Sequence, residues 1–149
     1  MSRFWLLTLL ALVAGTCIPT QAGINARLSL WVRSPVLAAA TSFLVGTVVL
    51  AGYALAARLP LPTLRSALDQ PWWLWTGGVL GAFFVAVTIH LAPRLGATNM
   101  LAWLLAGQML AALVFDHFGL LGYPQHLLSP GRAVGVLLLI AGVLMIRIF

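Results

Sequence analysis

Pro130-Gly131-Arg132-Ala-Val-Gly135-Val-Leu-Leu-Leu-Ile-Ala-Gly142-Val-Leu-Met-Ile-Arg147-Ile-Phe149 is the stretch whose reading decides the fold. It is a continuous apolar run long enough for a helix to cross roughly 30 Å of hydrocarbon, which takes about 20 residues. Its apolar positions do not alternate with polar ones, so a helix is expected and a barrel strand is not. Ser129-Pro130 supplies a capping hydroxyl followed by a proline suited to the first turn.

Working outward, four more runs of the same kind cover residues 4–22, 36–57, 72–91 and 97–118. With residues 130–149 they predict a single all-α integral membrane domain of five transmembrane helices. Ser34-Pro35 repeats the cap signal before the second span, and Asp69-Gln70-Pro71 predicts a cap for the third, with Asp69 as the capping residue. Pro93 and Gly96 predict a tight break between spans three and four. Trp5, Trp31, Trp72, Trp73 and Trp75 fall where interfacial aromatic belts lie.

Composition agrees. The chain has 62% hydrophobic and 7% charged residues, against roughly 45–50% and about 25% in soluble domains. Its +6 charge comes from arginines scattered at the ends of apolar runs, so they read as interfacial anchors and no nucleic-acid partner is expected. Cys17 stands alone, no His/Cys/Asp spacing fits a metal site, and no cofactor is expected. Arg3, the run 4–14 and the small residues around Gln21-Ala22-Gly23 imitate a cleavable leader. Pro19 and Gln21 make a poor cleavage context, so the first span is expected to be retained. Without a nucleophile–base pair or a phosphate-binding glycine loop, the chain is not expected to be an enzyme.

The arginines bear on topology. Arg3, Arg58, Arg65 and Arg132 fall on one side of the predicted five-span arrangement, and Arg27, Arg33, Arg94 and Arg147 on the other. Orientation follows excess Lys/Arg in cytoplasmic segments, so an even balance predicts insertion both ways up. An odd span number with dual topology predicts an antiparallel homodimer, or pairing with a close homologue, in the inverted-repeat geometry of secondary transporters.

Within the spans, polar residues mark candidate sites, because polar groups in hydrocarbon are costly unless satisfied. Gln108 falls near the midplane of span four and is the leading solute contact. Pro19, Thr20, Gln21, Gly23, Asn25 and Arg27 crowd the end of the first span. Pro19 predicts a kink, and Gln21 and Asn25 are candidate solute contacts, if the helix is not simply leaving the membrane there. Trp103 joins the proposed lining. Arg27 and Asp116, level in an inverted pair, are expected to form an inter-subunit ion pair or gate. Gly131, Gly135 and Gly142 give the last helix a small-residue face for dimer packing.

Taken in order, Gln21-Ala-Gly-Ile-Asn25-Ala-Arg27-Leu28, Ser34-Pro35, Ser42-Phe-Leu-Val-Gly46, Gly77-Gly78-Val-Leu-Gly81-Ala82, Pro93-Arg-Leu-Gly96-Ala97, Gly107-Gln108, Asp116 and Arg132-Ala-Val-Gly135 resemble the YdcZ-type proteins of the drug/metabolite transporter superfamily. The last two spans are distantly similar to small multidrug resistance proteins. The resemblance implies antiparallel dimers in a bacterial inner membrane, moving a small organic solute by alternating access. A lipid or lipid-linked flippase, or a non-catalytic subunit of a membrane complex, is the alternative. One departure stands out. The first helix of small multidrug resistance proteins carries a proton-exchanging glutamate. Here its middle reads Val13, Ala14, Gly15 and Thr16, and the chain has no Glu at all. Arg27 would instead favour an anionic or zwitterionic solute.

Overall fold

A hydrocarbon solvent leaves every backbone N–H and C=O to find a partner inside its own segment, and the helix does this residue by residue. A computed structural model describes residues 2–148. Phe149, the expected end of the last span, and the side chain of Arg3, one of the eight arginines weighed for topology, lie outside the described part. The helices are α1 (Ser2–Val32), α2 (Pro35–Ala56), the short α3 (Leu64–Leu68), α4 (Thr76–Leu95), α5 (Ala97–Phe118) and α6 (Pro130–Ile148). A single 3₁₀ turn, Trp72–Trp75, leads into α4, and another, Leu120–Gly122, follows α5. Five of these segments are long and apolar enough to cross a membrane.

Expected and observed boundaries agree closely for α2, α5 and α6. The caps explain why. Ser34 Oγ accepts from the Leu37 N–H at 3.3 Å, and Ser129 Oγ accepts from the Arg132 N–H at 3.3 Å. Asp69 does not cap the third span. It closes α3, whose N-terminus is capped by Thr63, and the turn before α4 begins at Pro71 without a side-chain cap. Pro93 is taken up inside the last turn of α4 rather than ending it, and the break falls at Gly96. Proline leaves a helical carbonyl without its N–H, while Arg94 Nη1 donates to the nearby His90 carbonyl at 2.6 Å. Gly96, at φ 75°, alone separates α4 from α5; left-handed backbone of this kind favours glycine.

The largest departure is α1. It runs ten residues beyond the expected end and passes through Pro19 without a break. Its hydroxyls are satisfied within it: Thr16, Thr20 and Ser29 donate to the carbonyls of Val13, Thr16 and Ala26 at 2.7–2.8 Å. The polar cluster, which the sequence left open between a cavity and a helix leaving the membrane, thus lies in the second half of a continuous rod.

The chain divides into two compact units, Met1–Arg94 and Leu95–Phe149. In the first, Ala38 and Ala39 of α2 pack on Val85 and Ile89 of α4, with Leu28 and Val32 of α1 against them. Small residues on α2 let the backbones approach closely, which replaces the hydrophobic effect as the source of cohesion in lipid. In the second, Ala102 and Ala106 of α5 meet Val143 of α6, flanked by Leu139 and Ile140. Large apolar side chains such as Leu50 and Phe83 remain exposed, as lipid-facing residues do.

Two helix ends carry strain. Arg33 and Arg58 follow α1 and α2 at φ 56° and 51°, positions where glycine is the usual residue. The left-handed conformation costs an L-residue about 1–2 kcal/mol, partly offset by an arginine's attraction to a helix C-terminus. Arg33→Gly and Arg58→Gly are each expected to stabilise the protein by about 0.5–1 kcal/mol. The check is the thermal unfolding midpoint in detergent, which should rise by roughly 2–4 °C.

Candidate functional site

In the first unit, α1 and α2 form an antiparallel hairpin closed at Arg33-Ser34. Asn25 and Ser42 lie at matching distances on either side of that turn, and Asn25 Nδ2 donates to Ser42 Oγ at 3.2 Å. Asn25 is only 4% exposed. Its side chain therefore ties two helices together, and interhelical hydrogen bonds of this sort contribute about 0.6 kcal/mol each in membranes.

Beside this bond lies an open hollow of about 430 Å³ lined by Thr16, Cys17, Thr20, Gln21, Ile24, Asn25 and Ser42. A second hollow of about 240 Å³ shares Gln21 and Ser42 and continues along α2 past Phe43, Gly46 and Thr47. Counting about 1.5 Å per residue back from Arg33, Asn25 lies about 12 Å and Gln21 about 18 Å below the hairpin end. These depths straddle the middle of a layer roughly 30 Å thick. Gln21 is exposed, and its amide meets no hydrogen-bond partner among the described residues.

The second unit gathers a different set. Asp116 and Arg132 form an ion pair, Oδ2 to Nη2 at 3.1 Å, with side chains 27% and 37% exposed. Linker residues 119–129 fold back on the end of α5. His126 N–H donates to the Asp116 carbonyl at 2.8 Å, and Gln125 Nε2 donates to the His117 carbonyl at 3.0 Å. His117 Nδ1 accepts from the Leu128 N–H at 3.1 Å, and Arg132 Nη1 donates to the His126 carbonyl at 3.1 Å. The last carbonyls of a helix have no partner within it, and here the linker supplies them. Gly119, at φ 62°, makes the left-handed turn that lets the chain reverse. Tyr123 then stacks on Phe115 with ring centroids 6.3 Å apart.

Two hollows flank Asp116. One, about 260 Å³, is lined by Gln108, Ala111, Ala112, Phe115, Asp116 and Tyr123. The other, about 360 Å³, has Arg132, Gly135 and Leu139 among its walls. Gln108 is the twelfth residue of the 22 in α5, and so sits at mid-helix.

The predicted residues thus fall into separate groups. Gln21 and Asn25 meet around Ser42, and Gln108 shares a hollow with Asp116. Trp103, 40% exposed, stands five residues before Gln108, about 140° around the helix at 3.6 residues per turn, so it does not share that face. Arg27 is an exposed residue inside α1. Asp116, expected to meet Arg27 of a second copy, is held by Arg132 of its own chain. A Cβ built at Gly131, Gly135 or Gly142 meets nothing within 4 Å, which leaves the small face of α6 open.

Sequence reasoning missed Ser42 as a hydrogen-bonding residue and Arg132 as the partner of Asp116. Symmetric spacing about Arg33-Ser34 was the available signal for the first. Asn99 Oδ1, buried without a partner among the described residues, was also missed.

This architecture defines a multi-pass membrane protein with five helices able to span the bilayer. The chain belongs to the family described as "Putative inner membrane exporter, YdcZ", which it matches over residues 6–145. It is also similar to the "Inner membrane protein YdcZ" of Escherichia coli (strain K12), with 37% identity over 71 residues, 48% of this chain and 47% of that protein. The matching stretch spans about half the length of that curated relative. No solved structure matches. The inner membrane is the protein's location, and the family's description supports a membrane transporter.

The Asp116–Arg132 pair is partly solvated, and such pairs couple by about 0.2–1 kcal/mol. A double-mutant cycle with Asp116→Asn and Arg132→Gln should give a coupling of about 0.5–1 kcal/mol in detergent stability. A value near zero would mean that the linker's backbone bonds alone hold the turn.

Proposed function

We propose that the protein is a small secondary transporter that moves a small organic solute across the inner membrane by alternating access, as an antiparallel homodimer or with a close homologue. One observation carries the reading: an open hollow at mid-depth of the α1–α2 pair whose walls include the Gln21 amide and the Thr16, Thr20 and Ser42 hydroxyls. Unpartnered amides at that depth are expensive in lipid, and intramembrane polar groups of this kind mark solute pathways. Gln108, midway along α5, is the second contact in this reading. Asn25 supports the Gln21 hollow by placing Ser42 and α2, and Trp103, on another face of α5, is a separate proposed contact.

The inverted dimer is supported by the open glycine face of α6 and by arginines at both ends of the spans, three on one side beside the four on the other once Arg27, which lies inside α1, is set apart. In such a dimer Arg27 of one copy would share Asp116 with Arg132 rather than neutralise it alone, a shared pair that could loosen and re-form as a gate. Close approach through Gly142 is the proposed packing contact. Gly142→Leu is expected to convert dimer to monomer in crosslinking or light scattering, while helix content by circular dichroism stays the same.

The decisive experiment is flux through the purified chain alone in proteoliposomes, with the C-terminus probed from both sides. The reading requires solute movement without another protein, and roughly equal labelling inside and outside in cells. A C-terminus found on one side only ends the homodimer form of the proposal. Inactivity until another membrane protein is added would make the chain a subunit instead.

A further inference from the structure

The chemistry of the α1–α2 hollow narrows the class of solute, an inference that rests on the transport reading above. Its hydrogen-bonding capacity can be counted group by group. The Thr16 and Thr20 hydroxyl protons are committed to the carbonyls of Val13 and Thr16, so each oxygen presents lone pairs only. Ser42 Oγ accepts from Asn25 Nδ2 and keeps its own proton. Gln21 keeps both its carbonyl and its amide protons, and Asn25 a second N–H. The wall therefore presents donors and acceptors together, and no charged side chain.

The wider chain points the same way. It contains two acidic side chains, Asp69 and Asp116. Asp69 closes the short α3, and Asp116 is held by Arg132 near the end of α5. A second copy would bring only the same two. A cation at the depth of Gln21 would find lone pairs but no counter-charge, and an unpaired ion in a low dielectric is far costlier than a hydrogen-bonded neutral group. Arg27 would draw an anion, but it lies six residues from Gln21 toward the hairpin end, about 9 Å along the helix.

We propose that this hollow receives an uncharged solute that both donates and accepts hydrogen bonds, of the polyol or small-amide kind. Its volume of about 430 Å³ falls within the range of small-molecule sites, roughly 300–1,000 Å³. Gln21 is the contact residue, and Asn25 acts as a positioning residue through Ser42.

Cys17, the chain's single cysteine, lines the hollow and reports on its occupancy. The rate of its labelling by a small methanethiosulfonate is measured on the full-length protein in proteoliposomes, in the presence of xylitol, N-methylurea, tetraphenylphosphonium or succinate. At least one of the two neutral solutes should slow labelling threefold or more, and Gln21→Leu should abolish that protection. Ser42→Ala serves as a second variant should Gln21→Leu fail to elute as the native species. Protection by the cation or the dicarboxylate that depends on Gln21, or none by either neutral solute, overturns the proposal. So does a Cys17 that is unreactive before any solute is added, since a second copy then covers the hollow. Flux without protection sinks this inference alone; protection without flux sinks the transport reading and leaves the binding site.

Discussion

The constraint on which everything else rests is the absence of water around the middle of the chain. With no solvent to bond, each backbone group is satisfied inside its own helix, and most threonine hydroxyls of the spans turn to a nearby carbonyl. Thr8, Thr16, Thr20, Thr41, Thr47 and Thr88 all do so. That satisfaction lets α1 run through a polar cluster and a proline without ending. Where the helices stop, side-chain caps and the folded-back linker take over the same task.

Against this apolar background two polar contacts hold the hairpins in register. Asn25–Ser42 joins α1 to α2 deep within the first unit, and Asp116–Arg132 joins α5 to α6 near their linked ends. Neither contact is strong by itself. Their effect is specificity: apolar helices slide and rotate against each other with little change in free energy, whereas a mismatched polar pair loses its partner and is left unsatisfied. Polar residues without such partners among the described residues, Gln21 and Gln108 foremost, are then the groups with capacity to bind something else.

Much of the fold was legible, and the reasons differ by element. The spans follow from summed hydropathy, and the starts of α2 and α6 from Ser-Pro pairs whose hydroxyls reach the first-turn N–H groups. Asp69 misled because an acid before a proline resembles a cap, while the local chain made a separate short helix that claimed it. The end of α1 misled because Gln21, Asn25 and Arg27 look like an interface when read singly. For Asn25 the cost is removed by Ser42, seventeen residues away, which a local reading does not weigh. Asp116 was matched to Arg27 by depth; Arg132, one linker away in space, lies sixteen residues on in sequence.

The sequence alone determined that this protein lives in a membrane and how many of its helices are able to cross it. Those properties are sums over short windows, and a sum does not depend on how helices are turned. Only the tertiary structure decided that Asn25 bonds Ser42 across the hairpin, that Ser42 lines the hollow with Gln21, and that Asp116 is held within its own chain. Such pairings depend on the rotation and register of one helix against another, and many side chains packing together set these at once.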